Sequence, residues 1–247
     1  MNQKTICFDF GNTRKKAAIF EGNEIVDTVI ISDTGNDIRD LLDKYQPERT
    51  ILSSVVEHDT AIEELISSRS KFHKLSHLTK ANFTLPIGKP ETVGADRLAL
   101  CAAAVHFYPN KNNLIIGMGT CITYNFVNQY HQFIGGNITP GMDMRFRAMQ
   151  EFTAKLPLAH PGPIETGWNY PLLGYDTKSN LISGVMSGIS FEIAGFIDAY
   201  SAKYDNFNVV LTGGDSAYFA GQLKCRIFAD SNFLFKGLYA LSETNNV

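Results

Sequence analysis

The chain has 247 residues, 44% of them hydrophobic, enough for one large domain or two small lobes with cores of their own. A formal charge of −3 and a pI near 6.1 offer no basic surface to a phosphate backbone, so no nucleic-acid partner is expected. Cys7, Cys101, Cys121 and Cys225 form neither a CxxC pair nor a metal-ligand spacing and, each flanked by apolar or small residues, read as buried free thiols in a reducing compartment.

The opening MNQKTICFDF lacks a signal peptide's long apolar core. The longest apolar run, LALCAAAV at 98–105, is too short to span a bilayer, so the expectation is a cytoplasmic protein with no membrane contact. Residues 4–10, 15–21 and 24–31 read as strands, the last two joined by the tight-turn sequence Glu21-Gly22-Asn23. DIRDLLDKYQ follows as a helix ended by Pro47. ILSSVV at 51–56 is a buried strand, 59–70 a helix and 91–108 a long buried helix rich in alanine and leucine.

The second half restarts the pattern. NLIIGMGTCITYNFV is strand, glycine turn and strand; a third strand then leads to a helix opening after Pro140-Gly141. Residues 179–203 form a long helix bearing Gly184, Gly188 and Gly195, and 207–215 a buried strand ending in two glycines. Strand-turn-strand-strand-helix thus occurs twice, which predicts an α/β protein of two duplicated lobes, residues 1–110 and 111–247, joined at the polar HFYPNKNN.

Each half carries a glycine-containing hairpin tip: Asp9-Phe10-Gly11-Asn12-Thr13, and Gly117-Met118-Gly119-Thr120. Backbone N–H groups in such turns cradle anions, the hydroxyls of Thr13 and Thr120 donate to phosphate oxygens, and Asp9 stands where a hydrated Mg²⁺ would neutralise phosphates. Arg14, Lys15 and Lys16 add positive charge, although strand alternation sends Lys15 away from its neighbours. Neither GxxxxGK[ST] nor a strand-to-helix GxGxxG occurs, so a nucleotide would sit on the hairpins. Each tip taken alone is also compatible with an ordinary turn. Their pairing points to a phosphotransferase of the actin–hexokinase–chaperone architecture.

Gly94-Ala95-Asp96-Arg97 opens the long helix, with two charges ahead of an apolar stretch. Either Asp96 is a helix-dipole acid partnered by Arg97, or Asp96 accepts a hydroxyl proton while Arg97 grips a substrate carboxylate. Thr212-Gly213-Gly214 ends a strand either in a simple loop or where a flat base or ribose could approach the backbone.

Taken in order, DFGNTRKK, GADR, GT-CIT, GGNITPG, LP, SGVMSGI and TGG resemble the bacterial type III pantothenate kinases over nearly the whole chain. The resemblance implies two actin-like (ribonuclease H-like) lobes, each a mixed five-stranded sheet flanked by helices. It implies ATP-dependent phosphorylation of pantothenate, the first step towards coenzyme A, by a homodimer that uses Mg²⁺ and is activated by K⁺ or NH₄⁺. Asp9, Phe10, Gly11, Asn12, Thr13, Arg14, Lys15 and Lys16 would then line the ATP phosphates, with Thr120 as a further nucleotide contact. Gly94, Ala95, Asp96 and Arg97 would hold pantothenate, Asp96 would be the general base, and Thr177 would reach substrate from the dimer interface.

The chain departs from the family pattern at three places. Gly117 replaces the Asp that ligates the monovalent cation, Asn125 replaces a second acid, and Ile87 replaces a tyrosine that touches pantothenate. Two alternatives accompany the kinase reading: a catalytically weakened regulatory protein on the same scaffold, and a kinase of another small hydroxylated carboxylate.

Overall fold

The computed structural model describes residues 3–32, 36–163 and 171–245. Its contacts divide the chain into two compact units. The first comprises residues 1–109, 131–134 and 232–247; the second comprises 110–130 and 135–231.

In the first unit β1 (Lys4–Phe10), β2 (Lys15–Glu21) and β3 (Glu24–Ile31) form an antiparallel meander. After α1 (Asn36–Tyr45), β4 (Arg49–Ser54) joins the other side of β1 in parallel. β5 (Lys71–Lys74) adds beyond it after α2 (Thr60–Ser67), giving the order β3-β2-β1-β4-β5. Period-2 alternation sends Ile6, Phe8 and Phe10 to one face, where they meet Ile38, Leu41 and Leu42 of α1 and Ile66 of α2. On the sheet's other side lie α3 (Ala95–Phe107) and α7 (Phe233–Asn245). These two helices pack so closely that a Cβ on Gly237 would lie 1.9 Å from the Ala99 carbonyl oxygen. Only alanine and glycine allow that approach.

The second unit repeats the topology. β6 (Asn112–Met118) and β7 (Cys121–Val127) form a hairpin, and β8 (Phe133–Pro140) completes the meander. α4 (Met142–Glu151) and α5 (Thr177–Ser201) precede β9 (Phe207–Thr212), which lies parallel to β6. α6 (Ser216–Phe219) then leads to β10 (Phe228–Ala229) at the edge. α5 is long and apolar enough to cross a membrane. One stripe of it (Leu181, Val185, Met186, Ile189, Ile193, Ile197) nevertheless sits in the core of this unit against Tyr124 and Phe126.

The two mixed five-stranded sheets flanked by helices agree with the expected architecture. Several details differ. The strand expected at 51–56 is Arg49–Ser54, because residues after Ser54 turn away to begin the loop before α2. The helix expected over 91–108 starts at Ala95, since Pro90–Thr92 form a separate 3₁₀ turn and Gly94 is the N-cap. The continuous division at 110/111 does not describe α7, which packs on α3, β1 and β4 and so belongs to the first unit. Nor does it describe 131–134, where Thr84 and Gln132 form a bridge within that unit.

Candidate active site

The first hairpin turns through Gly11–Arg14, closed by the Gly11 amide donating to the Arg14 carbonyl at 3.1 Å. Asn12, Thr13 and Arg14 are exposed. Asp9 pairs with Lys16 across the β1–β2 ladder, so the two share one face. Lys15 pairs with Phe10 on the other face and holds its ammonium 5.6 Å from that ring's centroid. Of the basic residues expected at the phosphates, Lys16 therefore stands with Asp9, and Lys15 does not.

On the neighbouring strand Ser53, fully buried, lies opposite Asp9 and donates to Asp9 Oδ1 at 3.4 Å. Burial pushes the Asp9 carboxyl up to about 7, the charge of Asp96 adds to the rise, and Lys16 and the Ser53 hydroxyl pull it down. Asp96 is likewise raised, chiefly by burial, against the Arg97 amide and guanidinium. The first unit thus brings two carboxylates into one electrostatic field at the head of the sheet.

Asp96 owes its position to the start of α3. Its carboxylate accepts the amide of Arg97, and it curls back over the N-cap so that a Cβ on Gly94 would lie 2.6 Å from Asp96 Oδ1. Glycine at 94 is what leaves that carboxylate room. Val55, beyond β4, borders the same spot at 3.7 Å. The Arg97 guanidinium lies 5.5 Å from the centroid of the buried Phe133 ring, a cation–π contact. Ser53, Val55 and Phe133 were not singled out from sequence.

The second hairpin has a different chemistry. Its tip is Gly119-Thr120, with the Gly119 amide donating to the Cys121 carbonyl at 3.1 Å. The tip rests on Gly141, whose amide donates to the Thr120 carbonyl and whose Cβ, if present, would lie 2.2 Å from the Gly119 oxygen. Gly213, at φ +98°, folds the Thr212-Gly213-Gly214 turn back onto the end of β6; a Cβ there would meet the Met118 carbonyl oxygen at 2.1 Å.

No carboxylate stands at Gly117. Asn125, fully buried, donates its amide to the Ile115 carbonyl at 3.3 Å and to Thr123 Oγ1 at 3.2 Å. Thr212, opposite Gly117 in the β6–β9 register, is buried with its hydroxyl unpartnered. Thr177 opens α5, exposed, just after the Asp176 capping box. Ile87 is half-buried in the segment before Pro90.

Two ions can be tested against these residues. Among the described residues no cluster of three or more His, Cys, Asp and Glu could form an all-protein metal cage. Mg²⁺ asks for less, one or two carboxylates with the remaining oxygens from phosphate and water. Asp9, raised by burial and a second carboxylate, fits that donor set, because a nearby cation would return it to the ionised form. The monovalent-cation ligand implied by the resemblance does not fit. Position 117 offers backbone only, and Asn125 puts an uncharged amide where the resemblance implies a second acid.

A family model described as type III pantothenate kinase matches residues 5–199. A protein of Christiangramia forsetii named Type III pantothenate kinase is 38% identical over 97% of this chain and 98% of its own length. One of the same name from Flavobacterium psychrophilum is 38% identical over 96% and 98%. Among solved structures, the activator of 2-hydroxyisocaproyl-CoA dehydratase from Clostridium difficile, with bound ADPNP, superposes at TM-score 0.53. It covers 99% of this chain and 94% of its own at 10% identity, a likeness of fold alone.

Proposed function

The chain belongs to the type III pantothenate kinases, enzymes that phosphorylate pantothenate with ATP on the way to coenzyme A, and we propose how its residues divide that work. Asp96 is the general base. It takes the proton of the pantothenate hydroxyl as the alcohol oxygen bonds to the γ-phosphorus of ATP and ADP leaves. A base raised by burial holds that proton more readily than an ordinary aspartate, and Gly94 keeps its carboxylate clear.

Arg97, over the Phe133 ring, presents its guanidinium to the pantothenate carboxylate, and Ala95 leaves the helix start uncrowded. Gly11 closes the turn through its bond to the Arg14 carbonyl, and the tip amides of Asn12 and Thr13, the Thr13 hydroxyl, Arg14 and Lys16 receive the phosphates. Thr120 is read as a further nucleotide contact. Phe10 anchors the hairpin and Lys15 covers it from the far face. Mg²⁺ carried with ATP at Asp9 would spread the charge of the transferring phosphoryl group.

The observation that carries this reading is the pair of raised carboxylates, Asp9 and Asp96, in one field at the helix start. Two acids raised by desolvation destabilise a chain that does not use them. Their presence also favours a working kinase over the regulatory alternative.

The reading extends to a homodimer. Leu172, Leu173, Tyr175 and Phe191 are strongly exposed around the small-residue face of α5 at Gly184 and Gly188, beside a cavity of about 330 Å³. A second copy laid across that face would bury them and bring Thr177 towards its partner's substrate. The enzyme's place is the cytoplasm, where its substrates are. ADP release by purified protein with Mg-ATP and pantothenate, beside an Asp96→Asn control, tests the assignment. Turnover that requires pantothenate and disappears in the control is expected; turnover with the control intact would remove Asp96 from the chemistry.

A further inference from the structure

We propose that Glu192 is a positioning residue for the nucleotide hairpin of the second unit, acting through the start of α4 on Thr120. The inference rests on the reading of Thr120 as a nucleotide contact.

Glu192 lies within α5, yet its carboxylate gathers donors from three other elements. Tyr124 of β7 donates to Oε1 at 2.8 Å and Thr139 of β8 to the same oxygen at 2.7 Å. Arg145 of α4 donates from Nη2 to Oε2 at 2.5 Å. Burial opposes the charge on Glu192, but these donors outweigh it and hold the carboxyl below its ordinary value. The pair is mostly shielded, with side chains 21% and 23% exposed, unlike a surface ion pair free to swing.

Arg145 also turns its Nε to the Pro140 carbonyl at 2.9 Å. One carboxylate therefore fixes both ends of the segment 139–145, through Thr139 before the turn and Arg145 after it. Gly141 lies inside that segment and is the surface on which the hairpin tip rests. Its amide holds the Thr120 carbonyl at 3.1 Å, and its Cα is pressed so near Gly119 and Thr120 that no Cβ fits. A contact with no slack transmits displacement. If residues 139–142 shift, Thr120 shifts with them, and hydrogen bonds to phosphate oxygens are lost within a few tenths of an ångström.

The test is calorimetric binding of Mg-ATP to the full chain, followed by steady-state kinetics. Glu192→Gln keeps the shape of the side chain and removes the charge that holds Arg145. Its Kd and KM for Mg-ATP are expected to rise about tenfold, with the KM for pantothenate unchanged. Thr139→Val, which removes one donor, is expected to give a rise of about twofold to threefold in the same direction. Asp43→Asn, which breaks the exposed ion pair with Arg69, serves as the control and leaves both substrates unaffected.

A folded Glu192→Gln protein with wild-type affinity for Mg-ATP overturns the proposal, as does an equal loss for ATP and pantothenate, the mark of a merely structural role. Should Glu192→Gln fail to fold, an unchanged Kd in Thr139→Val decides against it. A wild-type chain that binds no Mg-ATP would instead remove the nucleotide reading on which the inference stands.

Discussion

The two hairpins occupy equivalent places in two sheets of the same strand order, yet they are built on opposite principles. The first is charged and loosely seated. Asp9, Lys16 and Asp96 interact at its base, its tip is exposed, and a Cβ on Gly11 would meet nothing nearer than 3.3 Å. The second carries no carboxylate and is wedged between backbones, with Gly141 and Gly213 each too close to a carbonyl for any side chain. In the proposed reading the first hairpin would act by electrostatics, which tolerates small displacements. The other, in the proposed reading, would depend on the position of amides and a hydroxyl, which does not.

The largest effect should come from the charged side. Asp96→Asn keeps the hydrogen-bonding shape but cannot accept a proton, and kcat for pantothenate-dependent ADP release should fall by roughly a thousandfold. A decrease of less than about tenfold would mean that the carboxylate pair is structural.

Next stands the backbone side. Gly213→Ala forces a Cβ to 2.1 Å from the Met118 oxygen at a φ of +98°, and should cost on the order of 3 kcal/mol in urea unfolding. Gly11→Ala, at the looser tip, should cost less than about 1 kcal/mol. Equal losses at the two positions would erase the contrast.

Asp9→Asn should separate stability from function. Asp9 rises from 3.8 to about 7 on folding, so the folded chain binds the proton more tightly than the unfolded one between those values. Wild-type stability therefore falls as pH climbs through that window and is level above it. Asn does not titrate. The variant should match wild type near pH 4 and be more stable by on the order of 2 kcal/mol above about pH 7.5, while losing Mg-ATP affinity. A stability difference that grows towards low pH would reverse the sign and refute the raised carboxyl.

The smallest effect concerns the neutral hairpin. With Gly117 and Asn125 in place of acids, exchanging Na⁺ for K⁺ or NH₄⁺ should change turnover by less than about twofold. Strong activation would show that carbonyls and the buried Thr212 hydroxyl suffice to hold the cation.

Much of this was legible in the residues. Alternating apolar runs separated by glycine turns predict both meanders, and GADR ahead of an alanine-rich stretch marks the start of α3. What escaped was whatever depends on packing. β5 is four residues, KFHK, with neither length nor alternation to mark it. α7 carries a glycine in mid-helix, a helix breaker by propensity, made useful only by the approach of α3. The cation–π contact of Arg97 with Phe133 joins residues 36 positions apart, from a segment that the sequence pattern assigns to the other lobe.

Sequence alone determined the family, the duplicated α/β plan and the residue types at both tips, because these follow from local periodicity and from motifs a few residues long. Tertiary structure alone decided which charges act together. Asp9 and Asp96 lie far apart in the chain, and only the packing of α3 on the sheet puts them in one poorly solvated space where the charge of Asp96 helps to raise the Asp9 carboxyl. Burial and distance set that coupling, and neither is a property of a residue's neighbours in sequence.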